Sequence, residues 1–322
     1  MSNREIRRRT FLQGAGLAAL SAAGIVPAHP SQAPGAVPNS TGTEAAKLKA
    51  PALACDCHHH IYDTARFAPP QAGAEPNARV AEYRLLQRRL GTTRDVVVTP
   101  RAYGTDNRVT LDAITQFGAN SRGVAVIHPT ITDAELNALA KGGIRGIRFS
   151  LGANPTATAA TTLDMIEPLS KRVNALGWHV QIFMDADQIA ASEDLWPRLP
   201  SVIVFDHMGH IPQPVGIKHP AFTIIRRLVD KGRTWVKLSV TYGMTQDGPP
   251  TYADVNKVGQ AYVQAAPERM VWGSNWPHPN ETNKPDDAML FDLLTQWAPR
   301  EATRRRILVE NPAILYGFEK SG

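Results

Sequence analysis

The sequence predicts an α/β protein built as a single (β/α)8 TIM barrel, preceded by a signal segment and a linker. Three observations predict it. From residue 53 onward eight short apolar runs alternate with helix-patterned stretches, the alternation that lays down a parallel sheet covered by helices. No Gly-x-Gly-x-x-Gly turn follows the first run, which argues against an open dinucleotide-binding sheet. Polar, titratable residues gather where the runs end, and there the loops of a closed barrel converge on one mouth.

Residues 1–33 read as a twin-arginine signal peptide. Arg8-Arg9-Thr10-Phe11-Leu12-Gln13 follows a basic start and precedes the apolar run from Gly14 to Val26, with Ser31 and Ala33 as small residues for cleavage. Residues 34–51, rich in Pro, Gly, Ser, Thr and Ala, predict a disordered linker. The barrel domain is expected over 52–322. The expected location is periplasmic or exported, with the twin-arginine export machinery as a partner and no stable membrane span after cleavage.

The candidate strands are Leu53 to His60, Asp95 to Thr99, Gly123 to His128, Ile144 to Phe149, His179 to Phe183, Val202 to His207, Trp235 to Ser239 and Met270 to Ser274. Helical patterns fall between them, at Asn107 to Phe117, Asp133 to Lys141, Leu163 to Leu176 and Tyr252 to Ala265 among others. Composition is ordinary for a globular chain, 43% hydrophobic and 20% charged, with no apolar run of about 18 residues to span a membrane. Arg4, Arg7, Arg8 and Arg9 against Glu5 supply three of the six net positive charges. No basic run interleaved with aromatics remains in the body, so no nucleic-acid partner is expected.

Strand-end residues form the candidate site. Residues two apart share a face, so Asp56, His58 and His60 are expected to point inward together, with Asp56 fixing a histidine tautomer. Cys57 and His59 then point outward, and Cys55 and Cys57, too close for an unstrained disulfide, pack as buried thiols against a helix. By the same parity one of Asp206 and His207 faces inward, and His207 is the choice, with Asp206 anchoring a loop. His128 ends the third strand, Gln181 lies in the fifth, and Asn275 and His278 follow the eighth. Arg145 and Arg148 lie in the fourth, where a cation needs an anion such as a substrate carboxylate.

Read together, Asp56-Cys57-His58-His59-His60, Arg145-Gly146-Ile147-Arg148-Phe149, Asp206-His207-Met208-Gly209 and Val271-Trp272-Gly273-Ser274-Asn275-Trp276-Pro277-His278 resemble a branch of the amidohydrolase superfamily that opens or rearranges pyrone-dicarboxylate and sugar-acid lactones. Tyr103-Gly104-Thr105-Asp106-Asn107 and Glu310-Asn311-Pro312 also fit, from about residue 52 to Phe318. The resemblance implies a hydrolase or isomerase of a small-molecule carboxylated lactone, with His58, His60 and His207 in the active site. Arg148 and Arg145 would hold the substrate carboxylate. Tyr103, Gln181, Tyr242 and His278 join them as candidate substrate-binding residues.

Metal-dependent relatives use the strand-one histidines as ligands and an aspartate after strand eight to activate water; here that position is Asn275. Gly243 stands where an arginine is expected, leaving Tyr242 or Arg101 to substitute. His58, His60 and His207 could together hold a divalent zinc or manganese ion. With no carboxylate evident at the strand-eight position, the expectation is that no metal is required. A neutral histidine then deprotonates a water or a substrate hydroxyl for attack on the lactone carbonyl, and Asn275 orients the water or bonds that carbonyl. Two alternatives stay open: a metal-dependent hydrolase or decarboxylase, and a non-catalytic exported binding protein on the same barrel.

Overall fold

The computed structural model describes residues 35–70, 76–151 and 162–319; the signal peptide expected over 1–33 lies outside them. All eight strands are present, each followed by helix: β1 (Cys55–His59), α1 (Val80–Leu90), β2 (Arg94–Val98), α2 (Arg108–Phe117), β3 (Ser121–Ala125), α3 (Asp133–Lys141), β4 (Ile144–Ser150), α4 (Ile166–Asn174), β5 (His179–Phe183), α5 (Ala186–Ala191), β6 (Ile203–Phe205), α6 (Pro220–Asp230), β7 (Thr234–Leu238), α7 (Ala253–Ala265) and β8 (Met270–Trp272). Helices α8 (Asp287–Asp292), α9 (Leu294–Trp297), α10 (Glu301–Arg305) and α11 (Asn311–Tyr316) complete the chain.

The strands run in sequence order, every neighbouring pair parallel. The segment just beyond β8 joins the two ends: Asn275 N–H donates to the His58 carbonyl at 2.7 Å, and His60 N–H to the Trp276 carbonyl at 2.8 Å. At this seam only glycine fits at 273, because a Cβ there would stand 2.7 Å from the His58 Cβ. Alternate residues then sort into two cores. Ile147, Phe149, Val180, Ile182, Val236 and Trp272 pack outward under the helices, while Val96, Val98, Val124, Val204, Trp235 and Val271 fill the barrel interior.

Strand one breaks the expected parity. Cys55 and Cys57 belong to the interior cluster rather than the helix-facing one, and Asp56 faces α1, bonded by the Tyr83 hydroxyl at 2.9 Å. The cause is a register shift in the β1–β2 pairing between Asp56 and His59. Such a bulge reverses the facing of every residue beyond it, so His58 and His60 still reach the interior and His59 points outward as expected.

The segment expected to be a disordered linker is a packed strap over its described residues. Val37, Ala46 and Leu48 are buried in the outer core, the Trp276 indole donates to the Pro38 carbonyl at 2.7 Å, and Leu48 N–H donates to Asp292 at 2.8 Å. Composition misleads here because the strap is held from outside, by Arg89 of α1. The buried guanidinium donates to the Glu44 and Thr41 carbonyls at 2.8 and 2.9 Å and pairs with Asp286 at 2.6 Å. Removing one partner of a buried pair typically costs about 3 kcal/mol. Arg89→Ala is therefore expected to destabilise the protein by that order in urea unfolding and to open residues 35–50 to limited proteolysis; an unchanged midpoint and cleavage pattern would show that the strap holds without it.

Candidate active site

The site lies at the C-terminal ends of the strands, where β1 begins it. Asp56 does not touch a histidine ring. Its carboxylate accepts the Ser274 N–H at 2.9 Å, the Ser274 hydroxyl at 2.5 Å, the Tyr83 hydroxyl at 2.9 Å and the His58 N–H at 3.1 Å, clasping β1 to the end of β8. His59 stacks on Tyr83 with ring centres 3.6 Å apart and bonds Asp95 at 3.0 Å. His60 Nδ1 lies 2.7 Å from the Val98 carbonyl. A carbonyl only accepts, so Nδ1 carries the hydrogen and Nε2 keeps its lone pair. That lone pair faces His58 Nε2 at 3.3 Å, and His58 Nδ1 in turn meets the Lys237 ammonium at 3.3 Å. The three groups form one consistent donor series, from Lys237 through His58 to His60 and the Val98 carbonyl.

Strand six supplies the anion. The chain leaves strand geometry after Phe205, and His207, Met208, Gly209 and His210 adopt φ of 52°, 54°, 71° and 51°. Left-handed conformations are costly for residues with a Cβ and concentrate at functional sites. Alternation therefore fails at this point, and both Asp206 and His207 enter the site, where parity allowed only one. Asp206 is the hub. Its Oδ2 accepts from Arg148 Nε at 2.9 Å and Gln181 Nε2 at 3.0 Å, while Oδ1 stands 3.3 Å from His58 Nδ1 and 3.7 Å from Lys237 Nζ. His207 Nδ1 bonds the Ser239 hydroxyl at 2.8 Å, and its ring centre lies 4.7 Å from that of His58.

Lys237 is the functional residue that sequence reasoning missed. It is fully buried and also donates to Gln181 Oε1 at 2.7 Å and the Cys57 carbonyl at 2.9 Å. The signal was present: Lys237 is the one cation in β7 and shares the inner face with Trp235, and a buried cation demands acceptors. Burial sets the protonation of the group. It lowers Lys237 to about 8 and His58 to about 3, the latter helped by the neighbouring ammonium. Burial likewise holds His60 and His207 well below the ordinary histidine value. It pushes Asp206 upward, but the neighbouring Arg148 and Lys237 cations outweigh it and keep the carboxyl well below its usual range. The site thus holds an ionised Asp206 between two cations, beside neutral imidazoles.

Other expected residues separate. Arg148 is buried in the site with its guanidinium 4.8 Å from the Phe183 ring centre, and its anionic contact is Asp206. Arg145 stands at the start of β4, the end opposite the mouth, and donates to the Ala140 and Ile144 carbonyls; it cannot join Arg148 on one carboxylate. His128 lies past β3, exposed and bonded to Thr130, and Arg101 is exposed. His210 packs edge-on against Phe183 at 4.7 Å, and Tyr103 is buried after β2, its ring centre 6.0 Å from that of Tyr62. Tyr242 bonds Asn275 and His278 at 2.8 and 2.9 Å.

The expected metal trio changes as well. Among the described residues, His58, Asp206 and His207 are the group whose ligand atoms all lie within 4.8 Å of one another, with Asp206 in place of His60. These residues do not fit a divalent ion as they stand. One oxygen of Asp206 is occupied by Arg148 and Gln181, and the Lys237 ammonium lies against both His58 Nδ1 and the other oxygen, where a metal would meet a like charge.

The comparisons with known proteins agree with this barrel. The amidohydrolase family model matches residues 55–318. The chain is 32% identical over 286 residues to the 2-pyrone-4,6-dicarboxylate hydrolase of Comamonas testosteroni, covering 85% of this chain and 93% of that one. It is also 32% identical to the D-galactarolactone isomerase of Agrobacterium fabrum, over 83% of this chain and 91% of that one. A solved apo structure of an Agrobacterium tumefaciens protein superposes with a TM-score of 0.79 at 30% identity, covering 86% of this chain and 100% of that one. The chain belongs to the amidohydrolase family of barrel enzymes.

Proposed function

We propose that this chain is an exported enzyme that hydrolyses or isomerises a carboxylate-bearing lactone by histidine-centred acid/base chemistry, without a resident metal. The observation that carries this reading is the cluster of neutral His58, His60 and His207 beside Arg148 and Lys237. Opening a lactone needs a base for the attacking O–H, a donor for the departing ring oxygen and positive potential near the carbonyl. Neutral imidazole supplies the first and, once protonated, the second. Water as nucleophile gives the open acid; a substrate hydroxyl gives a shifted ring. The relatives named for a pyrone-dicarboxylate and for a galactarolactone support a substrate bearing carboxylate.

The electrostatics support the same substrate charge. Arg148 uses Nε on Asp206, and its Nη groups bond no described residue. A substrate carboxylate bound there adds the negative charge that lets a buried imidazole take up a proton during attack. Export is supported by Arg8-Arg9-Thr10-Phe11-Leu12 and the apolar run after it.

Purified enzyme screened on dicarboxylic and aldaric lactones, before and after chelation, is expected to turn over one of them at an unchanged rate. His60→Ala and His207→Ala should each lower kcat by about 10²-fold or more; wild-type turnover in both variants, or loss of activity on stoichiometric metal removal, would overturn the mechanism.

The pH profile follows from the buried groups. An ordinary histidine would give an acid limb near its usual value, but His58 is held at about 3, so kcat/KM should be flat through the weakly acidic range. Lys237 carries its charge below about 8 and loses it above, so activity should fall as pH rises through that value. Lys237→Met should remove the alkaline limb along with much of the rate. A limb centred near 6.5 in the free enzyme would contradict the neutral-histidine assignment. For export, replacing Arg8 and Arg9 together by lysine should retain the protein in the cytoplasm on cell fractionation, and periplasmic recovery of that variant would sink the twin-arginine reading.

A further inference from the structure

Beside the histidine cluster runs a second hydrogen-bonded series that the acid/base reading does not use. Asp287, fully buried at the start of α8, places Oδ2 at 3.1 Å from His278 Nε2. His278 Nδ1 lies 2.9 Å from the Tyr242 hydroxyl, which accepts from Asn275 Nδ2 at 2.8 Å. The direction of each bond follows from the one before. A carboxylate accepts, so His278 Nε2 carries the hydrogen; in the neutral imidazole Nδ1 is then an acceptor, and the Tyr242 O–H donates to it. Burial raises Tyr242 well above its ordinary value, which keeps that proton in place. With its own hydrogen committed, the Tyr242 oxygen can only accept, and the group that meets it is the amide nitrogen of Asn275.

The end of the series is thereby fixed. Asn275 cannot flip without placing its carbonyl oxygen against the tyrosine oxygen, two acceptors facing one another. Its oxygen has no hydrogen-bond partner among the described residues, and its backbone N–H is anchored to the His58 carbonyl. Both Asn275 and His278 hold left-handed φ, 64° and 55°, strain that the surrounding bonds must sustain. On the reading of the site as a lactone enzyme, we infer that Asp287 and His278 are positioning residues that act through Tyr242 to present the Asn275 oxygen as an acceptor for an O–H group of the reacting pair. That O–H belongs to a hydroxyl of the lactone or to a water, and the oxygen itself cannot polarise the lactone carbonyl, because it has no hydrogen to give.

Two measurements test this separately. Nitrogen-15 NMR of histidine-labelled protein, with His278 assigned by loss of its signal in His278→Gln, should show the neutral tautomer protonated at Nε2, and Asp287→Asn should weaken that preference. An Nδ1-protonated His278 in the wild type overturns the series whatever the enzyme's activity. Kinetics on a lactone that the wild type turns over should show Tyr242→Phe with about tenfold lower kcat and KM within about threefold, with thermal unfolding confirming that the variant folds; unchanged kcat overturns the role given to Asn275. A hydroxylated lactone should exceed its deoxy analogue by about tenfold or more in kcat/KM, a preference lost in Tyr242→Phe, if the O–H belongs to the substrate. Equal values with the same loss assign it to water. Failure of the wild type on every lactone defeats the proposed function and leaves the tautomer measurement to decide the series alone.

Discussion

The Asp56 carboxylate is the constraint on which the barrel and its site both depend. One group binds the Tyr83 hydroxyl of α1, the backbone and side chain of Ser274 after β8, and the backbone N–H of His58. It therefore joins the two ends of the sheet at the point where β1 changes facing. Burial raises the carboxyl, and the Ser274 and His58 bonds oppose that rise. The N–H that Asp56 holds belongs to the first residue beyond the bulged Cys57, so closure of the barrel and delivery of His58 into its mouth are one event. Without a bulge, a strand that buries Cys55 and Cys57 inside would turn His58 and His60 toward the helices.

Charge balance decides what that mouth can do. Arg148 and Lys237 are two buried cations, and Asp206 is the one carboxylate bonded between them. A buried ion is tolerated only when its partners satisfy it, so Gln181 serves both signs, donating to Asp206 and accepting from Lys237. Burial, helped by the surrounding positive charge, keeps His58 and His60 neutral. The surplus positive charge also leaves the pocket one anion short, the charge that the proposed carboxylate-bearing substrate would bring.

How much of this was legible in the sequence depended on whether a feature was local or long-range. The strands could be read because each is an apolar run between turns, and His179 to Phe183 falls on its expected bounds. Parity then failed twice, at Cys57–His58 and at Asp206–His207, because a bulge and a left-handed turn are made by pairing and loop closure rather than by residue type. Arg145 and Arg148 look alike in sequence but stand about 10 Å apart along a strand, which separates the bottom of the barrel from its mouth. The strap at 35–51 lacked any pattern of its own, since the residue that orders it, Arg89, lies in another element. Lys237 is readable as a cation in an apolar strand, but the groups that satisfy it, the Cys57 carbonyl, Gln181 and Asp206, come from β1, β5 and the end of β6, which only the closed barrel brings together.

The loops after β6, β7 and β8 carry most of the conformational strain near the site, in His207, Met208, His210, Val240, Asn275 and His278. Residues with a Cβ keep such backbone angles only where surrounding bonds over-determine them. For Asn275 and His278 those bonds are the ones that run through Tyr242 to Asp287, so the strain and the hydrogen-bond direction have a common purpose: they set which atom of an amide faces the reactants. An aspartate in the same place could accept through either oxygen and would need no such orientation. Asparagine is useful there only if its polarity is fixed, and the buried carboxylate that fixes it lies three hydrogen bonds away.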